Sequence, residues 1–361
     1  MSNDSRLRVK SSPIGNRLTD ASRREGMQIA ILAHEQFPDR AKTALGILRY
    51  GDHEVVAVLD REHAGERVRD HVSDVQDAPI VAGMDDVPAC DALVVGIAPI
   101  GGGFEDSWRP DVRTALERGC DLVAGLHYLL GDDEEFASLA AEHDCEIRDV
   151  RRPPDDLTVA AGTAGDVDAT VVLTVGTDCS TGKMTTAFEL RNAAREHGLD
   201  AAVVPTGQTG IMVAGWGIAI DRVIADFAAG AVEGLVEQEG DRDLLVVEGQ
   251  GALGHPAYSG VTLSILHGSQ PDALVLAHAP DRDRVHGYDS FSLPPVEKYA
   301  DLYERASAPV HDANVAAGAL NTRGMTDAAA REAVDAYADA LGVPASDPVR
   351  FDADAILDAV L

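Results

Sequence analysis

Lysine is the residue this chain most lacks. Among 361 residues only Lys10, Lys42, Lys183 and Lys298 carry it, and arginine supplies the other basic positions among 30 Lys+Arg. Against them stand 61 Asp+Glu, with Asp ahead of Glu by about two to one, for a formal net charge of −31. Basic surface is therefore scarce, which argues against nucleic-acid backbone or anionic lipid as the main partner. Acidity alone would not remove lysine. An Asp-rich, Lys-poor surface suits a cytosol at molar salt, where a Debye length of about 3 Å screens self-repulsion. A halophilic source is the expectation, and a lysine that survives inside a motif is expected to stay for chemistry.

Other absences narrow the class further. No run of about 18 apolar residues occurs, so no membrane-spanning helix is expected. The opening MSNDSRLRVKSSPIGNRLTD has no apolar core of a secretory signal, so a cytoplasmic location is expected. Cys90, Cys120, Cys145 and Cys179 sit far apart without a CxxC pair, which reads as reduced thiols rather than a disulfide frame or structural zinc site. The 12 histidines show no HExxH-type spacing, and no metal is expected.

What is present is a globular balance, 45% hydrophobic and 25% charged. After a polar tail (1–26), short aliphatic runs alternate with amphipathic stretches, the pattern of parallel βαβ units and a doubly wound sheet. Strands are predicted at 28–34, 54–60, 79–84, 92–99 and 121–126. Helices are predicted at 41–50, 109–119 and 132–144. The first domain is placed at 27–152, and a Pro/Asp/Gly-rich stretch (153–168) reads as a linker. The alternation then restarts in a second domain, 169–361. Its strands are predicted at 169–176, 201–206, 244–249, 273–280 and 315–322, with helical patterns at 183–197, 217–238, 294–306 and 326–342. The aliphatic face of 217–238 (Ile218, Ile220, Val223, Ile224, Phe227) reads as core or subunit interface, and a homo-oligomer is expected.

One segment carries chemistry on its face. A buried strand runs into Gly176-Thr177-Asp178-Cys179-Ser180-Thr181-Gly182-Lys183, and a helix begins at once. Glycines allow the tight turn, backbone N–H groups point inward, and the helix N-terminus adds about half a positive charge. Lys183 supplies a point charge for distal phosphates. A second, P-loop NTPase-like α/β domain follows. Five residues separate the glycines instead of four, as in the P-loop subgroup that contains dethiobiotin synthetase. Met184 stands where the magnesium-binding hydroxyl normally is, with Thr185 and Thr186 behind it. Phosphoryl transfer relies on that metal, so the loop looks better suited to holding a diphosphate than to cleaving one. Cys179 lies where a helix N-terminus lowers a thiol's pKa; packing is the favoured reading over an acyl-carrying thiolate.

Ligands in open parallel sheets sit outside the carboxyl ends of strands. Those ends offer Thr206, Gln208 and Thr209, then Glu248 at the Walker-B position with Gln250 and His255 behind it. Further along come His278, Arg282, Arg284 and His286, and last Asn321 and Arg323. Asn321 is a candidate reader of a purine edge. In the first domain Asp60 closes a strand where a ribose-binding acid often stands, and the loops 97–104 and 125–130 are candidates to face the second domain.

Over nearly its whole length after the tail the chain resembles one family, on GTDCSTGKMTT (176–186), PTGQTGIMVAGWGIAIDRVIADFAAGAVE (205–233), VVEGQGALGHPAYSGVTLSILHGSQPDALVLAH (246–278) and ALNTRG (319–324). That family joins a Rossmann-like domain to a P-loop domain, and its assigned members are D-glutamate N-acetyltransferases that use acetyl-CoA. Their product passes to an enolase-superfamily racemase, the functional partner this resemblance implies. It implies a cradle (Gly176 to Thr185) that holds the diphosphate of acetyl-CoA. Glu248 is then the first candidate base, and His255 or His278 the second. Gln208 and Gln250 are candidate oxyanion donors, with Arg282, Arg284 and Arg323 as carboxylate clamps. The alternatives are an ATP-dependent ligase or kinase that uses Mg²⁺, and a non-catalytic nucleotide-binding regulator.

Charge composition makes a prediction of its own. The thermal unfolding midpoint should climb by several degrees between about 0.1 and 1 M KCl as screening shortens from about 10 to about 3 Å. Scanning calorimetry reads this directly, and a flat or falling midpoint would remove the halophilic argument.

Overall fold

A computed structural model describes residues 26–97 and 102–361. Most of the expected tail (1–25) and the tip of the glycine-rich loop (98–101) lie outside the described residues. The first unit runs β1 (Gln28–Leu32), α1 (Lys42–Tyr50), β2 (Glu54–Leu59), β3 (Ile80–Val81), β4 (Ala92–Val95), α2 (Arg109–Glu117), β5 (Asp121–Ala124), α3 (Glu134–His143) and β6 (Ile147–Asp149). Its six strands are parallel in the order β3-β2-β1-β4-β5-β6, a Rossmann-like sheet that reverses direction between β1 and β4.

The second unit contains β7 (Thr170–Gly176), α4 (Lys183–Glu196), β8 (Ala201–Val204), α5 (Gln208–Ala214), α6 (Ala225–Gln238), β9 (Leu244–Val247), α7 (Ser259–Ser269) and β10 (Ala273–His278). A small antiparallel hairpin, β11 (Arg284–Val285) with β12 (Tyr288–Ser292), follows. The chain closes with α8 (Val296–Ser307), β13 (Asn314–Leu320), α9 (Asp327–Leu341), β14 (Ala345–Ser346) and α10 (Asp354–Val360). The main sheet is again six parallel strands, ordered β14-β13-β10-β7-β9-β8. Aliphatic runs such as Leu244–Val247 are buried at every position, as strands covered by helices on both faces must be. Because Val247 of β9 lies opposite Leu173 of β7, the residue after β9 arrives beside Thr174, near the end of β7.

Three sequence expectations change. The helix predicted over 217–238 starts only at Ala225. Gly215 and Gly217 adopt left-handed φ values of 78° and 122° and interrupt the apolar run, which makes the short α5 and then a turn at Ile220–Arg222. Its apolar residues therefore share no face: Ile218 and Ile220 are buried while Ile224 is 69% exposed. The stretch read as linker is packed in part, since the N–H groups of Ala161, Gly162 and Thr163 all donate to buried Glu233 on α6. And α7 and α10, which sequence periodicity did not single out, cover the second sheet. Among the described residues no helix is long and apolar enough to cross a membrane.

The two sheets meet along a seam between α1 and the elements α4 and α5. Thr43 and Thr209 share a hydroxyl hydrogen bond at 2.8 Å, and a Cβ on Gly46 would come within 2.9 Å of Thr209. Tyr50 stacks on Phe188 at 5.3 Å and donates to Glu189 at 2.6 Å. On the other flank Arg151 pairs with Asp221 and donates to the Gly125 carbonyl. One apolar cluster runs through both units, from Ile29 and Ile47 to Met184 and Phe188.

That continuity can be checked by substitution. Phe188→Ala deletes a fully buried ring at the seam, and should cost about 3–5 kcal/mol in a denaturant titration. A loss under about 1 kcal/mol would mean that the seam contributes little to stability.

Candidate functional site

The cradle is built as the glycine spacing requires. Gly176 ends β7, Ser180 and Gly182 take φ values of 55° and 109°, and α4 begins at Lys183. The first-turn N–H groups of α4 lack intrahelical acceptors and face the loop, with no acidic residue in that turn to cancel their charge. Lys183 is 6% exposed, and its Nζ donates to the Asp178 carbonyl at 2.7 Å. Burial lowers its pKa to about 8, with Lys42 among the charges acting on it. Met184 is buried and its Cε lies 3.7 Å from where a Gly46 Cβ would be, so it packs against α1 in the seam.

Glu248 follows β9 and is 4% exposed. Its Oε2 accepts the N–H groups of Thr206 and Gly207 at 3.3 and 3.2 Å. Gly210 leaves room for it, since a Cβ there would fall 2.1 Å from Oε2. Burial pushes the carboxyl above the ordinary carboxylate range, opposed first by Lys42, then by the two N–H groups and Lys183. Lys42 opens α1 of the first unit, next to the Thr43 hydroxyl bonded to Thr209. Sequence reasoning named Lys42 only in a count. Its survival in a chain with four lysines was the signal that could have found it.

Around the loop's other side, one ligand atom from each of Asp178, Cys179 and His255 lies within 4.8 Å of the others. This donor set could hold a cation. The Asp178 carboxylate is already taken, however, by the N–H groups of Cys179 (2.7 Å) and His286 (2.8 Å) and by Arg282 at 3.4 Å. His255 is 1% exposed and its Nδ1 accepts the Ala257 N–H at 3.1 Å. The neutral ring therefore carries its proton on Nε2 and is a donor, not the base expected from sequence. Cys179 also departs from expectation: burial raises its pKa, outweighing the Lys183, Arg282 and Lys42 charges that lower it.

The remaining candidates separate into those beside the cradle and those elsewhere. His278 hydrogen-bonds Thr177 Oγ1 at 2.9 Å, stacks on Tyr337, and has its pKa lowered by burial, so it supports the loop from behind. Asn321 stands near Gly182, its Oδ1 held by the Arg323 N–H. Gln250 donates to the Thr206 carbonyl, and Gln208 opens α5 against Gly125. Arg282 donates to the carbonyls of Cys179 (2.5 Å) and Ser180 (3.4 Å), so it braces the loop instead of clamping a substrate. Arg284 is held in the exposed hairpin by Ser292. Arg323 is 70% exposed and lies 3.6 Å from Asp39. Asp60 is spent on the Glu35 N–H and His63. A separate cleft of 320 Å³ between His127, Tyr128, Leu129, Asp132 and Arg222 contains no cradle residue.

Two family models match the chain. A P-loop domain of unknown function, DUF1611_C, covers residues 158–357, and a Rossmann-like domain, DUF1611_N, covers residues 61–153. Two proteins named D-glutamate N-acetyltransferase are similar. One, from a Pseudoalteromonas species, is 36% identical over 78% of this chain and 87% of its own length. The other, from Tritonibacter scottomollicae, is 37% identical over 74% of this chain and 80% of its own. A crystal structure of a DUF1611 family protein from Anabaena variabilis superposes with a TM-score of 0.89 at 40% identity, covering 93% of this chain and 99% of that one.

The charge of Lys183 sets a pH dependence. With a pKa of about 8, the side chain is an ammonium below that pH and a neutral amine above it. Binding of sulfate, whose own charge is constant, should weaken as pH rises through about 8. In Lys183→Arg the decline should vanish, because guanidinium stays charged. Lys42→Met should weaken binding overall and move the decline to higher pH, since Lys42 no longer opposes the Lys183 charge. Calorimetric titration across pH checks all three.

Proposed function

The chain belongs to the DUF1611 family, in which a Rossmann-like domain precedes a P-loop domain, and we propose that it is an N-acetyltransferase acting on the amino group of an acidic amino acid. The names of its relatives support acetyl transfer. D-Glutamate is the proposed acceptor and acetyl-CoA the proposed donor. The observation that carries the reading is Glu248. It is a buried carboxyl with a raised pKa, held by two backbone N–H groups beside a lysine-bearing N–H nest. An ammonium must lose a proton before its nitrogen can attack a carbonyl, and a carboxylate of raised pKa is suited to take it.

This geometry bears on which part of each substrate the cradle holds. Gly249, the residue after Glu248, has its Cβ position 3.4 Å from Lys183 Cδ, which sets the chain next to the candidate base against the cradle lysine. In acetyl-CoA the diphosphate and the acetyl group are separated by the whole pantetheine arm. A diphosphate on Lys183 would therefore leave the acetyl carbon far from Glu248. The placement consistent with Glu248 as base puts the reacting end in the cradle, with the nest donating to the tetrahedral oxyanion. Lys183 and Lys42 then face the acceptor's carboxylates, a role that Arg282, Arg284 and Arg323 do not fill.

The ATP-dependent alternative is weakened by residues, not by the loop's shape. Met184 packs in the seam where the metal-binding hydroxyl would be, and Asp178 is committed to N–H groups and Arg282. Thiol release from acetyl-CoA in molar KCl tests the proposal. Release that depends on D-glutamate and not on ATP is expected, and Glu248→Gln should lower kcat by about 10²–10⁴-fold. Magnesium-dependent phosphate release from ATP, with no thiol release, would move the assignment to the ligase or kinase class.

A further inference from the structure

Cys179 lies in the cradle loop with the side chains of Asp178 and His255 close to its sulfur. It is partly exposed inside the cradle, one residue from Asp178 and four before Lys183. Its sulfur, an Asp178 oxygen and a ring nitrogen of His255 lie within 4.8 Å of one another. The Nε2 of His255 is buried and has no hydrogen-bond partner among the described residues. Its proton is fixed on that nitrogen by the Ala257 N–H on Nδ1, and the ring is wedged against Tyr258 and Tyr288 at 4.6 and 5.2 Å. A buried donor left unsatisfied is costly, so one that persists beside a thiol marks a place for a ligand oxygen. Tyr299 Oη is a second buried group without a partner among the described residues; its ring borders Gly254, and its pKa is pushed up to about 12 by burial and by the Asp178 charge.

A metal ion is the competing explanation for the Asp178–Cys179–His255 group. It would have to share the Asp178 carboxylate with two N–H donors and sit against Arg282 and Lys183, two cations. A thiol acting as nucleophile needs none of that rearrangement. Lys183 and Arg282 would meet its developing charge, against the burial that raises the resting thiol's pKa, and the first-turn N–H groups of α4 and His255 Nε2–H would meet the oxyanion on the attacked carbonyl.

We propose that Cys179 carries the acetyl group as a thioester between donor and acceptor. The inference rests on the acetyl-transfer reading above. In the first half-reaction the Cys179 sulfur attacks the acetyl carbonyl of the donor thioester. The bond to the coenzyme sulfur breaks, and the proton Cys179 gives up ends on the departing thiol. In the second, Glu248 takes one proton from the acceptor ammonium and the amine attacks the Cys179 thioester. A C–N bond forms, the C–S bond to Cys179 breaks, and a second proton from the nitrogen returns to Cys179 as it leaves as a thiol.

Full-length protein in molar KCl, mixed with acetyl-CoA and no amino acid, should gain the mass of one acetyl group. Peptide mapping should place it on Cys179, neutral hydroxylamine should remove it, and adding D-glutamate should discharge it. Cys179→Ala should lose the adduct and lower turnover by at least about 10³-fold. Cys179→Ser should do the same with minimal change of shape, while Cys145→Ser, distant from the cradle, should leave both unchanged. His255→Phe, which removes the donor and keeps a ring, should slow loading of the acetyl group by about 10²-fold or more. Wild-type turnover in Cys179→Ala and Cys179→Ser, an adduct on another residue, or a stoichiometric zinc ion that shields Cys179 from alkylation would overturn the thioester and leave acetyl transfer standing. A wild-type protein that releases no thiol with any acidic amino acid would overturn the transfer reading itself.

Discussion

A carboxylate with 4% of its surface exposed sets the terms for the rest of the molecule. Removing Glu248 from water costs several kcal/mol unless charge and hydrogen bonds replace the solvent. The replacement comes from three places. The turn between β8 and α5 supplies two N–H groups, Lys183 supplies a cation from the cradle, and Lys42 supplies another from the opposite unit. Gly210 has to lack a side chain for the carboxylate to lie where those groups reach it. The docking of α1 on α5 is thus part of the electrostatics of the pocket, because it delivers Lys42.

The same docking brings two helix N-termini together. Both α1 and α4 begin with a lysine and have no acidic residue in their first turn. Their positive ends add to Lys42 and Lys183 around one buried carboxylate. In a chain of formal charge −31 this is a local inversion of sign. At low salt the outer surface would repel an acidic substrate from a distance. At about 1 M salt the field decays within about 3 Å, so the proposed acidic acceptor would sense the local charge of Lys42 and Lys183 more than the outer surface. An acidic surface and the proposed anion site are compatible at such salt for that reason.

Much of this was legible in the chain because it is encoded locally. Aliphatic runs of four to seven residues between amphipathic helices specify parallel strands, and the glycine spacing at 176–182 specifies the cradle. Glu248 was singled out by its place at the carboxyl end of a predicted strand. What sequence position left undetermined is direction. Arg282, Arg284 and Arg323 all follow strand ends, yet one braces the loop, one lies in a hairpin and one faces Asp39. The role of His255 turned on a single backbone N–H, that of Ala257, which no side-chain pattern announces. The seven residues of α5 lie between glycines and are too short to show a helical period. Lys42 was hidden because it belongs to the other unit.

Met184 connects the fold to the kind of chemistry the pocket can perform. Its side chain reaches the seam beside Gly46, so the position that in the usual pattern binds magnesium instead helps hold the two units together. A P-loop arranged this way lacks, at that position, the hydroxyl that usually holds the metal neutralising charge on a transferring phosphoryl group. It keeps an N–H nest at a helix N-terminus and a lysine whose pKa burial lowers to about 8. Charge that appears only during reaction, on the oxygen of an attacked carbonyl, is smaller and more localised than that of a triphosphate. Fixed backbone dipoles can meet it without a dication. Met184 thus counts against the phosphoryl-transfer alternative and is compatible with the acyl transfer proposed above.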